Sequence, residues 1–494
     1  MRYGFVIDQT RCIGCHACTV ACKEEHGVPV GVFRTWVKYV EKGAFPDTER
    51  HFGVMRCNHC DDAPCTQICP TRALFRRDNG IVDFDPARCI GCKGCMQACP
   101  YDALYIDPAT QTAAKCNFCA HRVEEGREPS CVIVCPTQAI LAGDLDDPAS
   151  RVSQVAASGQ AAVRKPEKGT KPKLYYLGID QALLHPELLE QPAQHLWAER
   201  AAPAPAAKPL RPPPLAAPRE VYNVAHPAPW GRAIVLYLWA KSVAAGMLLL
   251  GALALAAGAQ GAMARIVAPA IALGALAVTM AALVLDLKRP ERFFYLLTKP
   301  HLRSWLVLGA YVLMVYGALG TAWLLCGIFG TGIPPALAWA SFVFALAAAG
   351  YSAFLFAQAK GRDLWQSKLF FWHLLAQAFL AGASVWLLVE PNGQAPARIT
   401  LGIALATSLI IIALEIIRPQ GSEEFRLAAA TLTKGQYRGQ FWGLAVGAGL
   451  VAPLVIVILA GGEAAGIVAA LLALAGLWCF EDLWVRAGQA VPLS

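Results

Sequence analysis

Apolar positions follow two unlike patterns along this chain. From about Trp230 onward, Ala, Leu, Val, Ile and Gly form eight long runs. They lie at about 232–258, 264–287, 305–329, 335–359, 369–389, 399–417, 441–461 and 464–480. Each approaches the roughly 20 residues a helix needs to cross the hydrocarbon core of a bilayer. Trp230, Trp305, Trp339, Trp372, Trp442 and Trp484 stand near their borders, where amphipathic rings favour the membrane interface. Small residues within the runs permit close helix packing. The pattern predicts an all-α bundle of eight transmembrane helices over residues 229–494.

The first 148 residues read differently. Gly4-Phe5-Val6-Ile7-Asp8 and Gly80-Ile81-Val82-Asp83-Phe84-Asp85 are short strand-like stretches, each ahead of a cysteine-rich run. With short helices after the cysteines they predict a duplicated α+β unit. Residues 149–228 lose the cysteines and gain Ala, Pro and Lys. The stretch 201–218 is low in complexity and is expected to be an extended polyproline-like spacer. Within this linker, Lys171–Leu177 carries more pattern and is expected to pack back onto the first domain.

Cysteine usage turns this outline into chemistry. Sixteen of the eighteen cysteines fall in the first domain, in four groups of four. Cys12, Cys15, Cys18 and Cys22 are spaced C-x2-C-x2-C-x3-C, and Cys89, Cys92, Cys95 and Cys99 repeat that spacing. Cys57, Cys60, Cys65 and Cys69 widen one gap, and Cys116, Cys119, Cys131 and Cys135 widen it further. Three thiolates within seven residues can wrap one iron–sulfur cubane, while the fourth turns away to a neighbouring cluster. Zinc also binds paired Cys-x-x-Cys knuckles, but four thiolates within eleven residues, closed by Cys-Pro in the third group, suit it poorly. The arrangement predicts four [4Fe–4S] clusters, a wire rather than a single carrier. Cys326 and Cys479 lie in apolar runs and read as buried thiols.

The formal charge of +8 resolves by region. With eight spans, both chain ends and the even-to-odd loops share one side. That side holds thirteen lysines and arginines, whereas the opposite loops hold only Arg265 and Arg398. The positive-inside rule then places the cluster domain in the cytoplasm, at the inner membrane. Met1–Asp8 shows neither a secretory pattern nor twin arginines, which agrees. No nucleic-acid partner is implied, because the basic residues flank apolar spans. Nor is there a nucleotide fingerprint or nucleophile constellation for independent substrate chemistry.

A bis-histidine haem needs paired histidines on neighbouring helices. Only His373 lies within a span and His301 lies in a loop, so none is expected. The redox partner at the membrane is then a lipid-soluble quinone. Ionisable residues at membrane depth are costly and usually functional or paired. Lys241, Asp286, Arg289, Arg292 and His301 are therefore the candidate quinone-site residues, with Asp286 or His301 as proton carrier. The competing reading is a structural Lys241–Asp286 ion pair. His373 and Gln377, one turn apart, mark either a polar path or an interhelical hydrogen bond. Glu415 is read the same way.

The four cysteine groups, with Cys57-Asn58-His59-Cys60-Asp61-Asp62-Ala63-Pro64-Cys65 and Lys115-Cys116-Asn117-Phe118-Cys119, resemble the iron–sulfur subunits of dimethyl-sulfoxide-reductase-like and polysulfide-reductase-like molybdoenzymes over about 145 residues. Leu287–Phe293, Ser304-Trp305, Gly309 and Arg486-Ala487-Gly488-Gln489 resemble the NrfD/polysulfide reductase anchors. The chain reads as a fusion of the two. The resemblance implies the sets Cys12, Cys15, Cys18 with Cys135; Cys116, Cys119, Cys131 with Cys22; Cys57, Cys60, Cys65 with Cys99; and Cys89, Cys92, Cys95 with Cys69. It also implies a molybdopterin-containing catalytic partner and electron exchange with the quinone pool. With the cytoplasmic orientation, a sulfite-dehydrogenase-like complex would fit. The alternatives are a hydrogenase or ferredoxin-linked subunit, and a redox-driven ion-translocating module.

Overall fold

The computed structural model describes residues 1–44, 46–190, 218–390, 394–417 and 421–494. The chain forms two compact units, one of residues 1–227 with 492–494 and one of residues 228–491.

In the first unit, strand β1 (Tyr3–Asp8) is the centre of a three-stranded sheet. Its residues alternate between faces, yet Phe5, Val6 and Ile7 are all buried, as expected of a strand covered on both sides. Strands β2 (Thr35–Ala44) and β3 (Asp47–Arg56) form an antiparallel ribbon, Thr35 opposite Arg56. Two small hairpins pair β4 (Leu74–Arg76) with β5 (Val82–Phe84), and β6 (Leu104–Ile106) with β7 (Ala113–Lys115). Strand β8 (Ile140–Asp144) is antiparallel to β1.

The span read from sequence as a linker from 149 onward instead contributes structure. Helix α6 (Arg151–Ala157, the sixth short helix of the unit) is followed by β9 (Leu174–Leu177), which pairs parallel to β1 with Phe5 opposite Leu174. Strand β10 (Arg219–Tyr222) adds an edge to β2. The first domain therefore continues past residue 148, because β1 is completed by a strand that lies far along the chain. The stretch Lys171–Leu177, expected from its pattern to pack back onto the first domain, does so through β9, whereas nothing local marks α6 or β10 as part of that domain. Residues 201–217, read as the extended spacer, and Arg418, counted among the topology charges, lie outside the described residues.

Short helices carry or flank the cysteines: α1 (Ala17–His26), α2 (Pro64–Ile68), α3 (Gly94–Ala98), α4 (Ala120–Val123) and α5 (Ser130–Ile133). In all four groups the residue before the second cysteine has left-handed backbone: Gly14, His59, Gly91 and Phe118, with φ of 70°, 44°, 69° and 63°. That turn curls each Cys-x-x-Cys loop so that its two thiols join one sulfur set. Glycine reaches this region without strain, and at Gly14 a Cβ would also meet the Phe52 ring at 2.5 Å. His59 and Phe118 instead hold it through packing. Phe118 stacks on Phe5 with centroids 4.0 Å apart, and His59 meets Phe118 edge-on at 5.3 Å.

The second unit contains, among the described residues, eight helices long and apolar enough to cross a membrane: Arg232–Ala256, Met263–Leu285, Trp305–Phe329, Pro335–Gln358, Phe370–Val389, Ala395–Ile416, Gln440–Leu459 and Glu463–Gly488. We number them spans 1 to 8. Span 1 is the most enclosed, with 83% of its apolar window buried against 28% for spans 2, 3 and 7, so its side chains form the middle of the bundle. Spans 2 and 7 each begin with π-helical turns, Met263–Val267 and Gln440–Val451. The apolar run of span 8 stops at 480, but the helix continues to Gly488. This extension carries Glu481 into the interior, while Asp482 pairs with Arg486 at 2.5 Å.

Candidate functional site

Two constellations emerge, one in each unit. In the first, the fold sorts the sixteen cysteines into four sets. One cavity is lined by Cys12, Cys15, Cys18 and Cys135, and another by Cys69, Cys89, Cys92 and Cys95. Cys22 faces Cys116, Cys131 and Cys119. Cys65 faces Cys99, Cys57 and Cys60. Each set takes three sulfurs from one motif and the fourth from another. Neighbouring sets meet through Cys18 and Cys131, through Cys116 and Cys57, and through Cys95 and Cys65. The sets thus form a line beginning with the Cys12 set, then the Cys116 set, the Cys57 set and the Cys89 set.

The donor chemistry fits an iron–sulfur cofactor. Burial pushes the Cys18 thiol up to about 11 and the Cys99 and Cys116 thiols up to about 12. Neighbouring sulfurs oppose ionisation further. Such thiols become ligands only when a metal supplies compensating charge. Backbone N–H groups already point at sulfur: Ala139 donates to Cys135 Sγ at 3.2 Å, and Gly91 and Ala113 donate to Cys89 Sγ at 3.4 Å. Among the described residues, no three Cys, His, Asp or Glu side chains converge tightly enough for a single metal ion.

The walls of these cradles are cross-tied. Glu25, at the end of α1, accepts from Ser130 Oγ, from His121 Nε2 at 2.7 Å and from Arg122 Nη1 at 3.0 Å. These bonds hold its carboxyl down at about 2. They clamp the helix of Cys18 and Cys22 to the segment of Cys119 and Cys131.

In the second unit, Lys241 of span 1 is 1% exposed. Its Nζ donates to Ala349 O at 2.8 Å and Ser352 Oγ at 2.7 Å. It lies 5.6 Å from the Tyr237 ring centroid and 5.3 Å from that of Tyr351. The Tyr237 hydroxyl is 2.5 Å from both Tyr351 OH and Ser352 Oγ. Gly309 makes room for this cluster, since a Cβ there would meet the Tyr351 ring at 2.1 Å. Facing Lys241 electrostatically is Glu481 of span 8, fully buried, with neither carboxylate oxygen hydrogen-bonded.

The sequence candidates divide. Lys241 sits in this buried centre, and its partner is Glu481 rather than Asp286. That corrects the Lys241–Asp286 pairing: Asp286 is the half-buried cap at the end of span 2. Arg289 and Arg292 flank Glu291, at 3.4 and 3.9 Å. His301 is half-buried, its carbonyl accepting from the Ser304 N–H at 2.8 Å. None of these four is hydrogen-bonded to Lys241 as Ser352 is, or is the charge that Lys241 senses as Glu481 is. Glu481, Tyr237, Tyr351 and Ser352 escaped sequence reading. Glu481 falls just past the end of an apolar run, and tyrosines inside spans look like packing.

Further toward the same interior, His373 Nδ1 is 3.8 Å from Glu415 Oε2, and Glu415 Oε1 accepts from Ser367 Oγ at 2.6 Å. The Gln377 amide, also buried, makes no hydrogen bond. Among the described residues, the interhelical bond weighed for it is absent. Residues 373, 377 and 384 share one face of span 5 by helical period, and the Ser384 hydroxyl is likewise buried and unpartnered.

Comparison with known proteins follows the same division. A family described as "Polysulphide reductase, NrfD" matches residues 220–492, and a "4Fe-4S dicluster domain" matches residues 49–145. A tetrathionate reductase subunit of Salmonella typhimurium is 45% identical over 202 residues, 40% of this chain and 80% of that protein. Protein NrfC of Escherichia coli is 47% identical over 178 residues, 35% of this chain and 80% of that protein. A polysulfide reductase polypeptide of Wolinella succinogenes is 43% identical over 179 residues, 35% of this chain and 93% of that protein.

Proposed function

From the premise that this chain belongs to the polysulphide reductase NrfD family, with an iron–sulfur subunit fused ahead of the anchor, we propose that it carries electrons between a molybdopterin-containing catalytic subunit and the quinone pool. It is the electron-transfer and membrane-anchor subunit of a respiratory oxidoreductase. The observation that carries the reading is the line of four sulfur sets in one unit. Each set would hold one [4Fe–4S] cluster, which supplies one-electron transfer when bound. The protein's part is to supply thiolates, aim N–H groups at sulfur and exclude water.

At the membrane, quinone chemistry requires groups that hold its oxygens and move protons. Lys241 with Tyr237, Tyr351 and Ser352 offers donors at one point, and Glu481 offers a carboxylate beside them. Asp286, Arg289, Arg292 and His301 remain candidates for the outer part of the same site. The excess of basic residues in the even-to-odd loops favours an inner-membrane protein with its cluster domain in the cytoplasm. A cytoplasmic partner of the sulfite-dehydrogenase type fits that orientation.

The test is metal analysis of the complex purified anaerobically through this chain, with identification of its companion subunits. About 16 iron per chain, with molybdenum or tungsten in a large companion and clusters reducible by quinol, supports the reading. Full iron with nickel and no molybdenum or tungsten moves the chain to a hydrogenase-linked complex. Zinc in place of iron overturns it.

A second reading, redox-linked proton movement, is favoured by one observation: the buried, unpartnered polar atoms of His373, Gln377, Ser384, Glu415 and Glu481 inside the bundle. Such atoms ordinarily bind water. Charge movement coupled to quinol oxidation in sealed vesicles would support it, and electroneutral turnover would exclude it.

A further inference from the structure

Strand β3 ends on Arg56, one residue ahead of Cys57. Its side chain is 1% exposed. Nη1 donates to Cys131 Sγ at 3.0 Å, and the guanidinium lies 4.7 Å from the Phe5 ring centroid. Nε and Nη2 are sealed from solvent and have no hydrogen-bond partner among the described residues. Among the described residues no carboxylate is in ion-pair contact with it. Its electrostatic neighbours are the sulfurs of Cys131, Cys116 and Cys18, and Cys22 also senses it.

A fully desolvated cation without a counter-charge is strongly unfavourable. Arg56 is tolerated where it is because anionic sulfur surrounds it. Its two orphaned donors point to a negatively charged group that fills the cradle. The arrangement is also selective. Arg56 faces the Cys116 set and, through Cys18, the Cys12 set. The third set has its own buried cation, Lys115, which faces Cys65 and donates to Cys116 O at 2.8 Å. At the fourth set, Lys93 faces Cys92.

We infer that Arg56 sets the reduction potential of the centre held by Cys22, Cys116, Cys119 and Cys131, through its buried charge and its hydrogen bond to Cys131 Sγ. Reduction adds one electron to that centre with no bond made or broken. A fixed cation against its sulfurs stabilises the added charge and raises the potential. The Cys12 centre, reached through Cys18, feels a smaller effect. Arg56 is thus a positioning residue for electrons: it makes the second centre of the line a better acceptor than its sulfur set alone would be.

This inference rests on the four-cluster reading, which iron content and the number of redox waves in the parent protein test separately. A parent with fewer than four waves overturns that reading, and the Arg56 effect is still read on the waves present. The experiment is a redox titration followed by electron paramagnetic resonance, on the full complex carrying Arg56→Gln or Arg56→Lys. The centre is assigned as the wave altered in a Cys119→Ser protein. Arg56→Gln is expected to keep its iron and lower that wave's reduction equilibrium constant roughly tenfold, about 59 mV for one electron. The Cys12 centre should fall less, and the remaining two should stay in place. Arg56→Lys, which keeps the charge but loses the planar fork, should fall between. Unchanged waves at full iron, or an equal shift in all four, overturn the inference. If Arg56→Gln loses iron, Arg56→Lys decides: a fall largest at the same centre supports it, and no fall or an equal fall in all four overturns it.

Discussion

Lys241 on span 1 and Glu481 on span 8 are both sealed inside the membrane bundle, and each is the other's counter-charge. Lys241 also has hydroxyl and carbonyl partners, whereas Glu481 has none. Removing one member strands the other. Lys241→Met should destabilise the second unit by about 3–5 kcal/mol, and the double variant Lys241→Met/Glu481→Gln should recover most of that loss. Thermal unfolding in detergent, arranged as a double-mutant cycle, reads the coupling. Additive effects would mean that the two charges do not sense each other.

The same pair should matter to quinol. Lys241→Met and Glu481→Gln are each expected to slow cluster reduction by quinol at least tenfold, about 1.4 kcal/mol in barrier, with cluster spectra intact. Asp286→Asn should slow it less, since Asp286 caps span 2 outside the Lys241 cluster. Stopped-flow reduction measures all three. If Asp286→Asn alone is slow, the quinone oxygens sit in the loop and not at Lys241.

Spans 1 and 5 touch backbone to backbone at Gly246 and Gly382. A Cβ on Gly246 would lie 2.0 Å from Ala378 O and 2.7 Å from Gly382 Cα. No side-chain movement can relieve that contact, because the obstructing atoms are main chain. Gly246→Val should cost about 3 kcal/mol or more, seen as lost thermal stability or lost membrane accumulation. An unchanged melting temperature would show that the helices cross elsewhere.

The Glu25 clamp carries a pH dependence with a definite sign. Bonds from Ser130, His121 and Arg122 hold its carboxyl at about 2, below the ordinary 4.5. A depressed carboxylate contributes stability that is fully present above its unfolded value and is lost as pH falls through the folded one. The clamp should persist at neutral pH and fail between about 4.5 and 2. Glu25→Gln should release iron faster than the parent at neutral pH, with the difference shrinking toward pH 2. Chelator-monitored iron release at a series of pH values checks both arms. Equal release rates at pH 7 would mean that the clamp does not hold the sulfur set.

Much of this architecture is legible in the residues alone. The cysteine motifs are local, because three of the four ligands of each set are fixed by spacing over a few residues. The spans are equally local, because bilayer thickness demands an unbroken apolar run. The left-handed turn before each second cysteine is legible where it falls on Gly14 and Gly91. It is hidden at His59 and Phe118, where packing against Phe5 overrides the residue's own preference.

What the sequence by itself determined was composition within reach of a few turns: thiolate groups suited to iron–sulfur chemistry, eight membrane-crossing helices, and Lys241 at membrane depth. Tertiary structure decided which distant residues share a site. It brought Cys135 to Cys12 and Arg56 to Cys131, added β9 to β1, and gave Lys241 the partner Glu481 in place of Asp286. The physical reason is common to these cases. Spacing and hydropathy act along the chain, whereas charge compensation and strand pairing act across space between segments that the chain separates by tens to hundreds of residues.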